Sequence, residues 1–151
     1  MKEGGKIQDF EGLEKVSKPI TPLIAVPTTA GTGTEVTFWS VITDSQRKFK
    51  MSIGSPLMAA RIALVDPTMT LTLPANITAF TGIDALVHSI EGYTATLSQA
   101  ISDSLALSAI EMIGNNIRQA YANGNNLEAR YYMMLGSMLA GSFETPGQVL
   151  T

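Results

Sequence analysis

Asp84 and His88 stand four residues apart in the stretch Phe80–Tyr93, FTGIDALVHSIEGY, and His88 is the only histidine of the 151-residue chain. Residues i and i+4 of a helix lie on one face, one turn apart. A carboxylate and an imidazole so placed either share a divalent cation or make a plain side-chain hydrogen bond, and the spacing alone leaves both open. A second candidate lies upstream, where Thr28–Glu35 reads TTAGTGTE. Thr28, Thr29, Thr32 and Thr34 supply hydroxyls, while Gly31 and Gly33 let the backbone turn tightly and approach a ligand. A Gly/Thr-rich loop after a strand can cradle a phosphate with backbone N–H groups and hydroxyls, or it is an ordinary polar turn. It is neither a Walker loop nor a GxGxxG fingerprint. Lys50 follows this loop and alternates with apolar neighbours, which sets it on one face of a strand.

The counts narrow the chemistry. With no cysteine, disulfides, thiolate metal sites and a cysteine nucleophile are excluded. With one histidine, a metal site built wholly from this chain takes its other ligands from carboxylates, carbonyls or water. The net charge of -3 argues against a nucleic-acid partner. No apolar run reaches membrane-spanning length, and the opening MKEGGKIQDF is not a signal peptide. We therefore expect a cytoplasmic protein with no membrane partner. A content of 45% hydrophobic and 15% charged residues marks a globular chain able to bury a core.

These residues need elements to position them. Residues 1–19 are polar, with a helical turn expected near Phe10–Val16. Pro22–Pro27 is a short apolar run closed by proline, and we expect a buried strand there. Val36–Thr43 and Lys48–Ile53 are rich in β-branched and aromatic residues, and Asp44-Ser45-Gln46-Arg47 between them predicts a hairpin. Arg61–Val65 reads as a further strand, ended by Asp66-Pro67. Beyond Leu73-Pro74 the pattern becomes helical over 77–94, 98–122 and 126–142. In the first helix Ile83, Leu86, Val87 and Ile90 form the expected apolar stripe, with Thr78 or Thr81 as cap. Ile101, Leu105, Ala109, Met112, Ile113, Ile117 and Ala120 mark the second. Leu127, Tyr131, Met134, Leu135 and Met138 mark the third.

TTAGTGTE after a strand, then ITDSQRKFKM, ALVDP and TGIDALVHSIEGY in that order, resemble the iron-containing (group III) alcohol dehydrogenases, related to dehydroquinate synthase. The likeness runs from about Ile7 to Ser142. It implies an α/β N-terminal portion followed by an all-α portion. The first, 1–73, would be a partial Rossmann-like nucleotide-binding domain. The second, 74–151, would be a partial helical metal-binding domain. It implies metal-assisted hydride transfer between an alcohol or aldehyde and NAD or NADP, with Fe, alternatively Zn, polarising the oxygen. Asp84 and His88 match the first two metal ligands. Thr28, Thr29 and Thr32, with Gly31 in the same loop, match the segment at the cofactor's phosphates. Thr37 and Lys50 match positions on the nicotinamide-ribose side.

The sequence also departs from the family. Its glycine-rich GGGS segment is absent, and so are the two histidine ligands that follow LAG: here Leu139-Ala140-Gly141-Ser142 runs into FETPGQVLT. We expect a truncated middle portion of the enzyme, inactive by itself. The alternative is a non-catalytic folded remnant, acting at most as an association or weak metal- or nucleotide-binding module. Unpaired edge strands would favour self-association.

Overall fold

The computed structural model describes residues 5–96 and 98–142. Its strands all lie in the first half and its long helices in the second, as the change of sequence period predicts. Strands β3 (Trp39–Asp44) and β4 (Phe49–Gly54) form the expected antiparallel hairpin, from Asp44 opposite Phe49 to Trp39 opposite Gly54. The turn is built by Asp44. Its Oδ1 accepts from the backbone N–H groups of Gln46 (3.0 Å) and Arg47 (3.1 Å), and its Oδ2 from Arg47 Nε at 2.8 Å and Gln8 Nε2 at 3.2 Å. These bonds hold the Asp44 carboxyl well below the usual carboxylate range, the Arg47 backbone N–H contributing most. Along β4, Met51 and Ile53 are buried and Lys50 and Ser52 exposed, the alternation a half-buried strand requires.

Two upstream expectations change. In place of a helical turn over Phe10–Val16, a 3-10 turn spans Ile7–Phe10, and β1 (Gly12–Leu13) pairs parallel with β4 as a third strand. The apolar run 22–27 is not a buried strand. Only β2 (Ile24–Ala25) pairs, parallel with β5 (Ile62–Ala63), and Leu23, Ile24, Val26, Ile62 and Leu64 are exposed. Parallel strands normally lie between covering layers, yet these side chains stay about half exposed among the described residues.

Helices α1 (Ala75–Thr94), α2 (Ala100–Ala122) and α3 (Leu127–Ser142) pack against one another around Ala85, Ile113, Ala120, Ala129, Met133 and Met134. Neither Thr78 nor Thr81 caps α1. The helix starts earlier, behind Pro74, and both hydroxyls donate back along it, to Pro74 O (3.2 Å) and Ile77 O (2.9 Å). The stripe on α1 is also reversed. Its buried face is Thr78, Gly82, Ala85, Ser89 and Gly92, whereas Ile83, Val87 and Ile90 are exposed and Leu86 is half-buried against the core. Small residues win because the neighbours come close: a Cβ on Gly82 would sit 2.6 Å from Met133 Cε. On α2 the expected face holds through Ala109, Ile113 and Ala120, but Ile101 is exposed. On α3, Met134 is buried, Leu127 and Tyr131 are exposed, and the core side is completed by Ala129, Met133, Gly136 and Ala140.

Arg130, unmarked in the sequence, is 2% exposed. It donates to Thr78 Oγ1 at 2.7 Å, Gly124 O at 3.0 Å and Leu73 O at 3.4 Å, tying the starts of α1 and α3 to the turn between α2 and α3.

Candidate functional site

The Thr28–Glu35 loop lies on the helices. A Cβ placed on Gly31 would meet Thr81 Cβ at 2.9 Å, and one on Gly33 would meet Gly141 Cα at 2.7 Å and Ser137 O at 2.9 Å. Gly33 also has φ +58, a conformation that side chains disfavour. The glycines therefore seat the loop against α1 and α3. That differs from the sequence expectation, in which they opened the backbone to a ligand. Ala30, directly before Gly31, is buried in the helical core.

This seating brings the two sequence candidates together. Thr81, under Gly31, precedes Asp84 by three residues, about 4.5 Å of helical rise, and His88 lies one further turn along. Asp84 and His88 are both half-buried on α1. Among the described residues no group of three or more His, Cys, Asp or Glu side chains is placed to hold a metal ion. The pair offers two donors, fewer than the three or more protein ligands that hold a catalytic divalent ion. By themselves the described residues do not complete such a site. The segment 143–151, where the sequence departs from the family, lies outside the described residues.

On its outer side the loop borders a cleft of about 180 Å³ lined by Ala25, Val26, Pro27, Thr29, Thr32, Thr34 and Glu35. Thr32 and Thr34 are exposed and their hydroxyls lie 2.6 Å apart. Of the other candidates, Thr28 is exposed and lies beside the cleft lining, and Gly31 is buried under the loop. Thr37 is buried, its hydroxyl accepting from the Trp39 backbone N–H at 3.3 Å. Lys50 is exposed on β4, opposite Thr43. Neither Thr37 nor Lys50 lines the cleft.

Glu35 was missed at the sequence level. It is 5% exposed, and burial pushes its carboxyl above the ordinary value, a hydrogen bond from its own backbone N–H partly offsetting that rise. The available signal was an acid placed directly after a Gly/Thr loop, with no basic residue within ten positions on either side.

The hydroxyl-bearing loop is thus seated on the helix that carries the Asp/His pair. Comparison with known proteins supplies the rest. The family model "Iron-containing alcohol dehydrogenase" matches residues 1–67, and "Fe-containing alcohol dehydrogenase family, C-terminal" matches residues 78–145. Choline dehydrogenase of Bacillus subtilis (strain 168) is 49% identical over 140 residues, 91% of this chain and 35% of that protein. The crystal structure of a 1,3-propanediol oxidoreductase superposes with a TM-score of 0.89 at 40% identity, over 92% of this chain and 36% of that one. Sulfoacetaldehyde reductase from Bifidobacterium kashiwanohense, solved in complex with NAD+, gives a TM-score of 0.83 at 38% identity, over 92% of this chain and 37% of that one. The chain belongs to the iron-containing alcohol dehydrogenase family, with an α/β portion followed by an all-α portion of that fold. It spans about a third of the length of the relatives it matches. Among the described residues no helix is long and apolar enough to cross a membrane.

Proposed function

We propose that this chain carries the cofactor-facing loop and two metal-facing residues of a dehydrogenase that moves hydride between an alcohol or aldehyde and NAD(P). In this proposal the Thr28–Thr32 segment, with Gly31 seating it, holds the dinucleotide. Thr37 and Lys50 border its nicotinamide-ribose side, and Asp84 and His88 contribute to binding of a divalent Fe or Zn. Residues 1–73 then form part of a nucleotide-binding unit and 74–151 part of a metal-binding unit. The observation that carries the proposal is the contact of Gly31 with Thr81, which sets the hydroxyl loop one helical turn from Asp84.

The chain alone is expected not to turn over. Two donors hold a divalent ion loosely against water and chelators, and misplacement of reacting groups by about 1 Å costs about a hundredfold in rate. The test is to purify the chain, add Fe(II) or Zn(II), and follow NADH formation with short primary alcohols and diols. We expect no turnover, and weak metal binding that disappears in His88→Ala. Metal-dependent turnover that is lost in Asp84→Ala and His88→Ala would show the chain to be a working enzyme.

A second function, self-association without catalysis, has its own observation. Phe80, Ile83, Val87 and Ile90 form one exposed apolar stripe along α1, and such surface is hidden in most soluble monomers. Light scattering on size-fractionated protein tests it. A concentration-dependent dimer abolished by Phe80→Glu supports association through this stripe, and a monomer at all concentrations refutes it.

A further inference from the structure

Six asparagines occur in the chain, and Asn123 alone is followed by glycine. It closes α2 and begins the Asn123-Gly124-Asn125-Asn126 turn that leads into α3. Asparagine is thermolabile because the next backbone nitrogen can attack its side-chain amide, and a following glycine has no Cβ to hinder that approach. Asn123 and Asn125 are exposed, so water reaches the turn.

The turn holds the reacting atoms apart. Attack requires the Gly124 nitrogen to swing about the Asn123 Cα–C bond to the side of the Cβ. At ψ 95 it lies on the far side. Three hydrogen bonds oppose the rotation. Asn123 O accepts from the Asn126 N–H at 3.0 Å, Asn123 Oδ1 from the Asn125 N–H at 3.1 Å, and Gly124 O from Arg130 Nε at 3.0 Å. The last is charge-assisted. Arg130 also lies close against Gly124, since a Cβ there would be 3.1 Å from its Nη2.

We propose that Asn123 is a latent site of spontaneous deamidation, gated by the bond from Arg130 to Gly124. When that bond opens, the Gly124 nitrogen attacks Asn123 Cγ. The N–Cγ bond forms as this nitrogen gives its proton to water, and the Cγ–Nδ2 bond breaks as ammonia takes up a proton and leaves. Water then opens the succinimide at either carbonyl. Opening at Cγ leaves aspartate, and opening at the main-chain carbon leaves isoaspartate, whose backbone is longer by one CH2. One water is consumed and one ammonia released, with no redox change. The isoaspartyl backbone no longer presents the Asn123 carbonyl to Asn126, whose Oδ1 accepts from the Ala129 N–H at 3.1 Å in the first turn of α3. It also moves Gly124 O away from Arg130, which holds Thr78 Oγ1 on α1. The modification is a one-way loosening of the joint between the three helices.

The test incubates the full chain in mildly alkaline buffer at physiological temperature. Peptide mapping by mass spectrometry locates the exchange of amide for acid, and labelling by an isoaspartyl methyltransferase identifies the product. A synthetic peptide covering residues 119–130 gives the ungated rate. A hydrogen bond to a charged group is strong enough to slow the reaction by roughly tenfold to hundredfold. The folded chain should therefore react that much more slowly than the peptide, and at Asn123 ahead of the other asparagines. Arg130→Met should recover most of the difference, with Arg130→Lys in its place should the former not fold by circular dichroism. Gly33→Ala disturbs the contact of the loop with α3 without touching the turn, and should stay within a few-fold of the parent. Aged parent enriched in isoaspartate should unfold at lower urea concentration than fresh parent, whereas Asn123→Gln aged in the same way should not change. A folded chain that reacts as fast as the peptide, or an Arg130 variant no faster than the parent, overturns the gate. Equal acceleration in Gly33→Ala assigns the reaction to global unfolding and overturns it too. Modified parent as stable as fresh parent overturns the loosening.

Discussion

The seat of the loop can be tested at Gly33. Alanine there faces two costs. At φ +58 an L side chain sits in the left-handed region, which costs roughly 1–2 kcal/mol. Its Cβ would also lie 2.7 Å from Gly141 Cα and 2.9 Å from Ser137 O. Both are backbone atoms of α3 and cannot rotate away, so the loop or the helix must shift, an overpacking cost of roughly 1–3 kcal/mol. The lower entropy of an alanine-containing unfolded chain offsets about 0.4–1 kcal/mol. The net expectation for Gly33→Ala is a loss of about 2–4 kcal/mol. At about 2–4 °C per kcal/mol for a chain of this size, that lowers Tm by roughly 5–15 °C. Thermal and urea unfolding followed by circular dichroism measure it. Gly114→Ala is the control: nothing lies within 4 Å of its Cβ position in the middle of α2, and removing a helix glycine should raise stability by about 0.5–1 kcal/mol. A Gly33→Ala protein within about 0.5 kcal/mol of the parent would refute the close loop–helix contact, and with it the geometry that brings the loop to Asp84.

Arg130→Met should destabilise the chain by roughly 3 kcal/mol, since it removes three hydrogen bonds from a cation and leaves the buried Thr78 hydroxyl with only its bond to Pro74 O. Urea unfolding reads the change, and Arg130→Met with Thr78→Val should recover part of it. Asp44 gives a pH dependence of known sign. Its folded pKa is depressed below an unfolded value of about 3.9, so its contribution is complete above about pH 4 and is lost as pH falls toward the folded pKa. Asp44→Asn should therefore be less stable than the parent at neutral pH, with the gap narrowing below about pH 4 in acid-dependent denaturation curves; a gap that is flat with pH would contradict the turn network.

The hairpin was legible because its determinants are local. Asp44 binds the backbone of residues two and three positions ahead, and the alternation of Met51 and Ile53 with Lys50 and Ser52 needs no distant partner. The helices were legible for the same reason, from their length and from breaks such as Asn123-Gly124-Asn125. The faces of the helices were not. Which side of α1 is buried depends on how closely α2 and α3 approach, and that is written in Gly82, Ala85 and Ser89, residues with no hydrophobic period of their own. The role of Gly31 and Gly33 was hidden likewise, since a glycine that admits a ligand and one that admits a helix look identical in sequence. Glu35 and Arg130 went unnoticed because both are buried by distant segments. The same reasoning explains the odd character of α1. A helix with small residues on one side and Phe80, Ile83, Val87 and Ile90 on the other has two packing faces. Asp84 and His88 fall between those faces: they neighbour the used face at Ala85 and Ser89, and the uncovered face at Ile83 and Val87. A surface packed on the apolar stripe would therefore lie next to the Asp/His pair.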